Sequence, residues 1–134
     1  LTVADKGSLL TLAAKQGKAD LVEELLRPAI DLNSKDERGR TAMYDNALRA
    51  ASAEGHDKIV RLLLVNGADV NADGGSALLD ASKAGHDRVV RLLLYYGADV
   101  KADGGSALLE ASKGGHDRVV QLLLNYGADV NNDN

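Results

Sequence analysis

Aliphatic residues recur along this chain in one short rhythm: Ile59-Val60, then Leu62–Leu64; Val89-Val90, then Leu92–Leu94; Val119-Val120, then Leu122–Leu124. Apolar positions three and four apart trace one side of a helix, so Val90, Leu93 and Leu94 share a face that Val89 and Leu92 widen. This predicts a helix over Arg88–Tyr96, capped by Asp87 and ended by Gly97. Just upstream lies a shorter run of small residues, Ala77–Lys83, behind Ser76. It reads as a second helix with Ser76, or Ser106 further on, as N-cap. Gly85 is placed to end it, because glycine enters the left-handed conformation cheaply. Ala98-Asp99-Val100 and an Asp-Gly-Gly turn then lead onward. The unit is two antiparallel helices and a tight turn.

That unit repeats. Residues 72–101 return as residues 102–131 with five positions changed, Asp80/Glu110, Ala84/Gly114, Arg91/Gln121, Tyr95/Asn125 and Lys101/Asn131. The word Gly-His-Asp starts at Gly55, Gly85 and Gly115, with a degenerate form from Gly17, giving spacings of 38, 30 and 30 residues. Gly-Ala-Asp-Val follows at Gly67, Gly97 and Gly127, and Ile30-Asp31-Leu32-Asn33 is its worn counterpart. Four units result, at about residues 5–35, 36–71, 72–101 and 102–134, in one domain. Units of this size cannot bury an apolar face alone; they stack and bury it against one another.

The words in this order resemble the ankyrin repeat. Leu48, Ala51, Gly55, His56, Ile59, Val60, Leu62–Leu64, Gly67, Ala68, Asp69, Val70 and Asn71 match that family's pattern in sequence. The resemblance covers essentially the whole chain and implies an all-α solenoid of stacked antiparallel helix pairs with short turns. The family period is about 33 residues, so the last two units are short in the stretch where members carry a hairpin finger, which should be blunt here. Their openings, Ser76-Ala77-Leu78-Leu79 and Ser106-Ala107-Leu108-Leu109, lack the family's Pro and His. The bonds that histidine makes between neighbouring units should be missing or replaced by apolar contact. Unit two instead has five extra residues. Either its first helix is longer, about Thr41–Ala53, or its finger is longer and the helix starts at Asn46. Ala42–Ala53 contains no Pro or Gly and is rich in Ala, which favours the longer helix.

Composition narrows the function. A net charge of −4 disfavours general binding to nucleic acid or to an anionic membrane surface. There is no cysteine, hence no disulfide or thiolate site, a composition that suits a reducing compartment and suggests a cytoplasmic location with the nucleus left open. No apolar run approaches 18 residues and no signal peptide is visible; Leu1 in place of Met suggests a fragment. His56, His86 and His116 hold one position in successive units. Stacked helices lie about 10 Å apart and zinc–nitrogen bonds are about 2 Å, so one ion cannot span them; each imidazole is expected to bond backbone and tie units together. The Asp-Gly-Gly turns lack the Lys-Ser/Thr of a phosphate loop, and no Gly-x-Ser-x-Gly elbow is present. The expectation is no catalytic residue, no metal and no cofactor. Along the second helices, Lys58, Arg61, Arg88, Arg91 and Arg118 form a basic column, expected to be solvated and neutralised by Asp57–Arg61 and Asp87–Arg91 pairs. Tyr96 and Tyr126 share a repeat position and read as structural.

Function is therefore expected on the surface: a non-enzymatic protein-interaction module that binds a protein partner through the concave face of first helices and turns. The candidate contact residues are Tyr44, Asp45, Arg49, Glu54, Asp80, Lys83, Glu110 and Lys113, which vary between units, and the non-repeated Tyr95. Asp80/Glu110 and Lys83/Lys113 would make a charged patch. The alternative is a structural or targeting spacer within a larger multidomain protein. The resemblance adds asparagine hydroxylation, whose family pattern Asn33, Asn71 and Asn131 satisfy. At the ends, Glu24 replaces a repeated leucine, as a polar capping unit requires, and Pro28-Ala29 replaces the glycine exit. Unit four keeps Leu122, Leu123 and Leu124. Its open face should be apolar, so either the array continues beyond Asn134 or this face self-associates.

Overall fold

A computed structural model describes residues 3–27 and 37–127. Among them are eight α-helices and no strand: α1 (Val3–Gln16), α2 (Ala19–Leu26), α3 (Glu37–Glu54), α4 (Asp57–Val65), α5 (Ala72–Ala84), α6 (Asp87–Tyr95), α7 (Ser106–Lys113) and α8 (Asp117–Asn125). Each odd helix packs against the even helix after it, and both series stack, α1 on α3 on α5 on α7 and α2 on α4 on α6 on α8. One apolar core runs through all four pairs, with Leu10, Leu48, Leu63, Leu78, Leu93 and Leu123 each fully buried. The longer first helix of unit two is what the chain adopts, and at 18 residues it exceeds the expected span.

Glycine explains how the pairs of units two and three close. At the end of α4 the Gly67 N–H donates to Leu64 O and the Ala68 N–H to Leu63 O; Gly97 and Ala98 repeat this on Leu94 and Leu93. These bonds satisfy carbonyls that a helix end leaves open. At the turn inside each of the first three pairs, glycine also makes room for a histidine. The His86 Nε2–H donates to Ala53 O at 3.1 Å, and a Cβ built on Gly55 would lie 2.7 Å from His86 Nδ1. His56 bonds Lys15 O in the same way beside Gly17, and His116 bonds Lys83 O beside Gly85. Each unit thus hooks the one before it. The turn histidines supply bonds between units that the opening tetrapeptides lack, in addition to apolar contact.

Three local expectations are corrected. Ser76 and Ser106 do not cap. Ser76 Oγ donates back to Ala72 O inside α5, and Ser106 Oγ to Asp103 O at 2.6 Å. A run of left-handed residues, Asp73-Gly74-Gly75 and Asp103-Gly104-Gly105, turns the chain into the first helices of units three and four, and no side chain caps either helix. Asp87 is the first residue of α6, not its cap; His86 holds the cap position. The Asp57–Arg61 and Asp87–Arg91 pairs do not form, and Asp87 faces Arg118 of the next unit at 4.0 Å.

The two ends differ. Glu24 is exposed and pairs with Arg27 at 3.3 Å, giving α2 a polar side. In unit four, Leu108, Val120 and Leu124 are half-buried, whereas Leu78, Val90 and Leu94 at the same positions in unit three are buried. Pro28-Ala29, the worn Ile30–Asn33 word and the chain beyond Gly127 lie outside the described residues.

Ser52 and Ser82 are the fully buried polar side chains among the described residues, and neither hydroxyl meets a partner. Ser112, at the same position in the exposed last unit, donates to Leu108 O at 2.7 Å, and unit one has Ala14 there. Removing an unsatisfied buried hydroxyl without changing shape is neutral or stabilising. Ser82→Ala should raise stability by up to about 1 kcal/mol, read from the midpoint of urea unfolding; a clear loss would show that the hydroxyl is bonded in solution.

Candidate functional site

One groove on the surface is built only from first helices. Leu12, Ala42, Met43, Ala50 and Ala53 form its floor, from α1 and α3, and its volume is about 860 Å³. Ser8, Thr11, Lys15, Asn46 and Glu54 edge it, and Arg49 with Asp80 closes the side toward α5. Its breadth follows from the inner positions of the early units. Five residues before each turn glycine stand Leu12, Ala50, Asp80 and Glu110, so this row is apolar in units one and two and acidic in units three and four. Leu12 is 50% exposed and, with Met43 and the alanines, gives the groove a contiguous apolar lining. Gly7 lets α1 lie close to α3: a Cβ there would meet Met43 Cγ at 3.0 Å.

Electrostatics define the groove's margins. Arg49 Nε donates to Asp80 Oδ2 at 3.0 Å, bridging α3 and α5. That hydrogen bond and the charge of Asp80 hold the Arg49 guanidinium protonated beyond its ordinary range. Lys113 pairs with Glu110 within α7 at 3.7 Å. Lys15 and Lys83 are exposed and join no ion pair among the described residues.

Asp45 lies at the turn side of α3, where its Oδ1 accepts the Asp69 N–H at 2.8 Å. Burial pushes its carboxyl above the usual carboxylate range, helped by the charges of Asp69 and Asp73, while the Asp69 N–H pulls the other way. A folded-state value above the unfolded one means that ionising Asp45 costs stability. The cost is absent below the ordinary carboxylate pKa near 3.8 and grows as pH rises through the raised value. Asp45→Asn keeps an acceptor oxygen and removes the charge. It should raise Tm at pH 7 and leave it unchanged at pH 3; an equal shift at both would contradict the electrostatic cause.

The expected contact residues fall into separate places. Arg49, Glu54 and Asp80 meet at the groove. Lys83, Glu110 and Lys113 continue along α5 and α7. Three of the nine do not belong with them: Asp45, held at the turn side by the Asp69 N–H, and two tyrosines. Tyr44 is 4% exposed and packed in the core, because the extra residues of unit two turn it inward; it is no surface contact. Tyr95 is exposed but sits at the end of α6, among the second helices, with its ring 5.4 Å from that of Tyr96. Within the expected charged patch, Asp80 is taken up by Arg49 of the preceding unit. Leu12, Met43 and Asn46 were missed; the signal available was a lone leucine where the matched units carry Asp80 and Glu110. Asn71 is exposed, yet its Oδ1 accepts the Asp99 N–H at 2.8 Å and its Nδ2 donates to Gly97 O at 3.1 Å, tying unit two to unit three. Asn33 and Asn131 lie outside the described residues. No group of three or more His, Asp or Glu side chains is placed to hold a metal among the described residues.

Comparison with known proteins decides the family. The family model for ankyrin repeats (three copies) matches residues 2–72 and again residues 47–134. This chain belongs to the ankyrin-repeat family. Ankyrin repeats generally serve as modules for binding other proteins, and the helix-pair stack described above is their fold. Among curated proteins, the chain is similar to the palmitoyltransferase akr1 of Schizosaccharomyces pombe, 46% identical over 70 residues, covering 52% of this chain and 10% of that protein. It is also similar to the potassium channel AKT2/3 of Arabidopsis thaliana, 39% identical over 64 residues, covering 48% of this chain and 7% of the channel. The ankyrin-repeat chain thus matches only a tenth or less of the length of these relatives. Among the described residues, no helix is long and apolar enough to cross a membrane.

Proposed function

We propose that this chain is a non-enzymatic protein-interaction module whose partner seats an apolar side chain between α1 and α3. The observation that carries the reading is the groove of about 860 Å³, floored by Leu12, Met43 and three alanines and margined by charge. Burying the exposed leucine would favour association at about 25 cal/mol per Å² of apolar area removed from water. Lys15, Glu54 and the Arg49–Asp80 pair would set orientation rather than supply most of the affinity. Lys83, Glu110 and Lys113 would extend the contact along the stack.

A second reading is favoured by the short share of the relatives that the chain matches: a spacer or targeting segment within a larger protein, in a reducing compartment such as the cytoplasm. One experiment separates the two. A protein captured on the intact chain should be lost by at least about tenfold on Leu12→Glu or Arg49→Glu, with the helical circular-dichroism spectrum unchanged. A captured protein that tolerates both substitutions would leave the spacer reading standing.

A further inference from the structure

The second helices carry a surface that the groove does not use. Three and six residues after the turn glycine stand Lys58 and Arg61 in α4, Arg88 and Arg91 in α6, and Arg118 and Gln121 in α8, all exposed. Positions three apart are neighbours on one helix face. Four residues beyond Arg61 and Arg91, that face adds Val65, 64% exposed, and Tyr95, 76% exposed. The acidic residues that start these helices neutralise only its far end: Asp87 pairs with Arg118 at 4.0 Å, and Asp57 and Asp117 join no ion pair among the described residues. Lys58, Arg61, Arg88 and Arg91 are therefore without an ion pair among the described residues. In α2 the same two positions hold Asp20 and Glu23, so the basic face begins at α4. A chain of net charge −4 thus gathers unpaired cations, beside an exposed tyrosine, on one face.

We propose that this face binds an acidic protein segment that crosses α4, α6 and α8 in a polyproline-type conformation, with a carboxylate at every third residue. The spacing argues for that occupant. Packed helices lie about 8–10 Å apart. Three residues of polyproline II rise about 9 Å and return to the same side. Carboxylates at i, i+3 and i+6 therefore meet successive helices, where guanidinium groups can bind them through two parallel hydrogen bonds. The residues between the acids face Val65 and Tyr95. The acidic remainder of the chain repels a long polyanion, which favours a short segment over nucleic acid or an anionic bilayer. This surface is independent of the groove.

The test is fluorescence anisotropy on the intact chain with a labelled peptide of four Glu-Pro-Pro units. Comparators are a peptide of the same composition with its glutamates clustered at one end, single-stranded DNA, and phosphatidylserine vesicles. The spaced peptide should bind saturably, and more weakly as salt rises from about 0.05 to 0.3 M. The double variant Arg61→Glu with Arg91→Glu should lose at least about tenfold in affinity without change in circular dichroism, whereas Leu12→Glu should bind as the parent does. Absence of saturable binding would overturn the proposal. So would equal binding of the clustered peptide, or tighter binding of the DNA or the vesicles.

Discussion

Leu93→Ala should destabilise the chain by about 2–5 kcal/mol, the largest loss expected from one substitution. Leu93 is 0% exposed at the centre of α6, between the stacked α4 and α8. Truncation removes the transfer energy of its side chain and leaves a cavity that helices held on both sides cannot close. The position decides the size. Leu108 and Leu124 belong to the last pair and are half-buried, so alanine at either should cost clearly less. Urea unfolding of the three variants checks the order. Equal losses would mean that the array has no interior.

The second large effect concerns the turn glycine Gly85. Its φ of 80° is in the left-handed region, where a β-branched residue costs about 1–3 kcal/mol. A Cβ would also come within 2.5 Å of His116 Nδ1, forcing the ring off its bond to Lys83 O. Gly85→Val should therefore cost about 2–4 kcal/mol, strain plus the net worth of one hydrogen bond. Gly115 supplies the control. Its φ is 70° but nothing lies within 4 Å of a Cβ there, so Gly115→Ala should cost about 1 kcal/mol. With His116→Ala already in place, Gly85→Val should become cheaper, because the two residues share one space. Strict additivity in that thermodynamic cycle would contradict the hook between units.

Much of this arrangement is legible in the chain. The helix pairs, their four-fold recurrence and the histidine bonds follow from spacing, because each depends on residues a few positions apart or one period apart. What escapes depends on register between helices. Tyr44 lies in an insertion with no matched position to show which way it faces. The Arg49–Asp80 bond joins residues of two units whose relative rotation no spacing gives. Ser76 has the composition of a cap, but three left-handed residues before it already turn the chain. The groove was half visible: Arg49, Glu54 and Asp80 vary between units and were read as contacts. Leu12 and Met43 were passed over because an apolar residue in a unit that is mostly leucine and alanine looks like core. Spacing within one helix pairs Asp87 with Arg91, whereas the stacking of α8 on α6 gives it Arg118 of the next unit.

Methyl-to-methyl nuclear Overhauser contacts in a leucine- and valine-labelled sample test the stack most directly. The buried methyl groups around Leu63, Leu93 and Leu123 should be joined by cross-peaks running from α4 to α6 and from α6 to α8, as one core requires. Cross-peaks confined within each helix pair, with none between α4 and α6 or between α6 and α8, would contradict it.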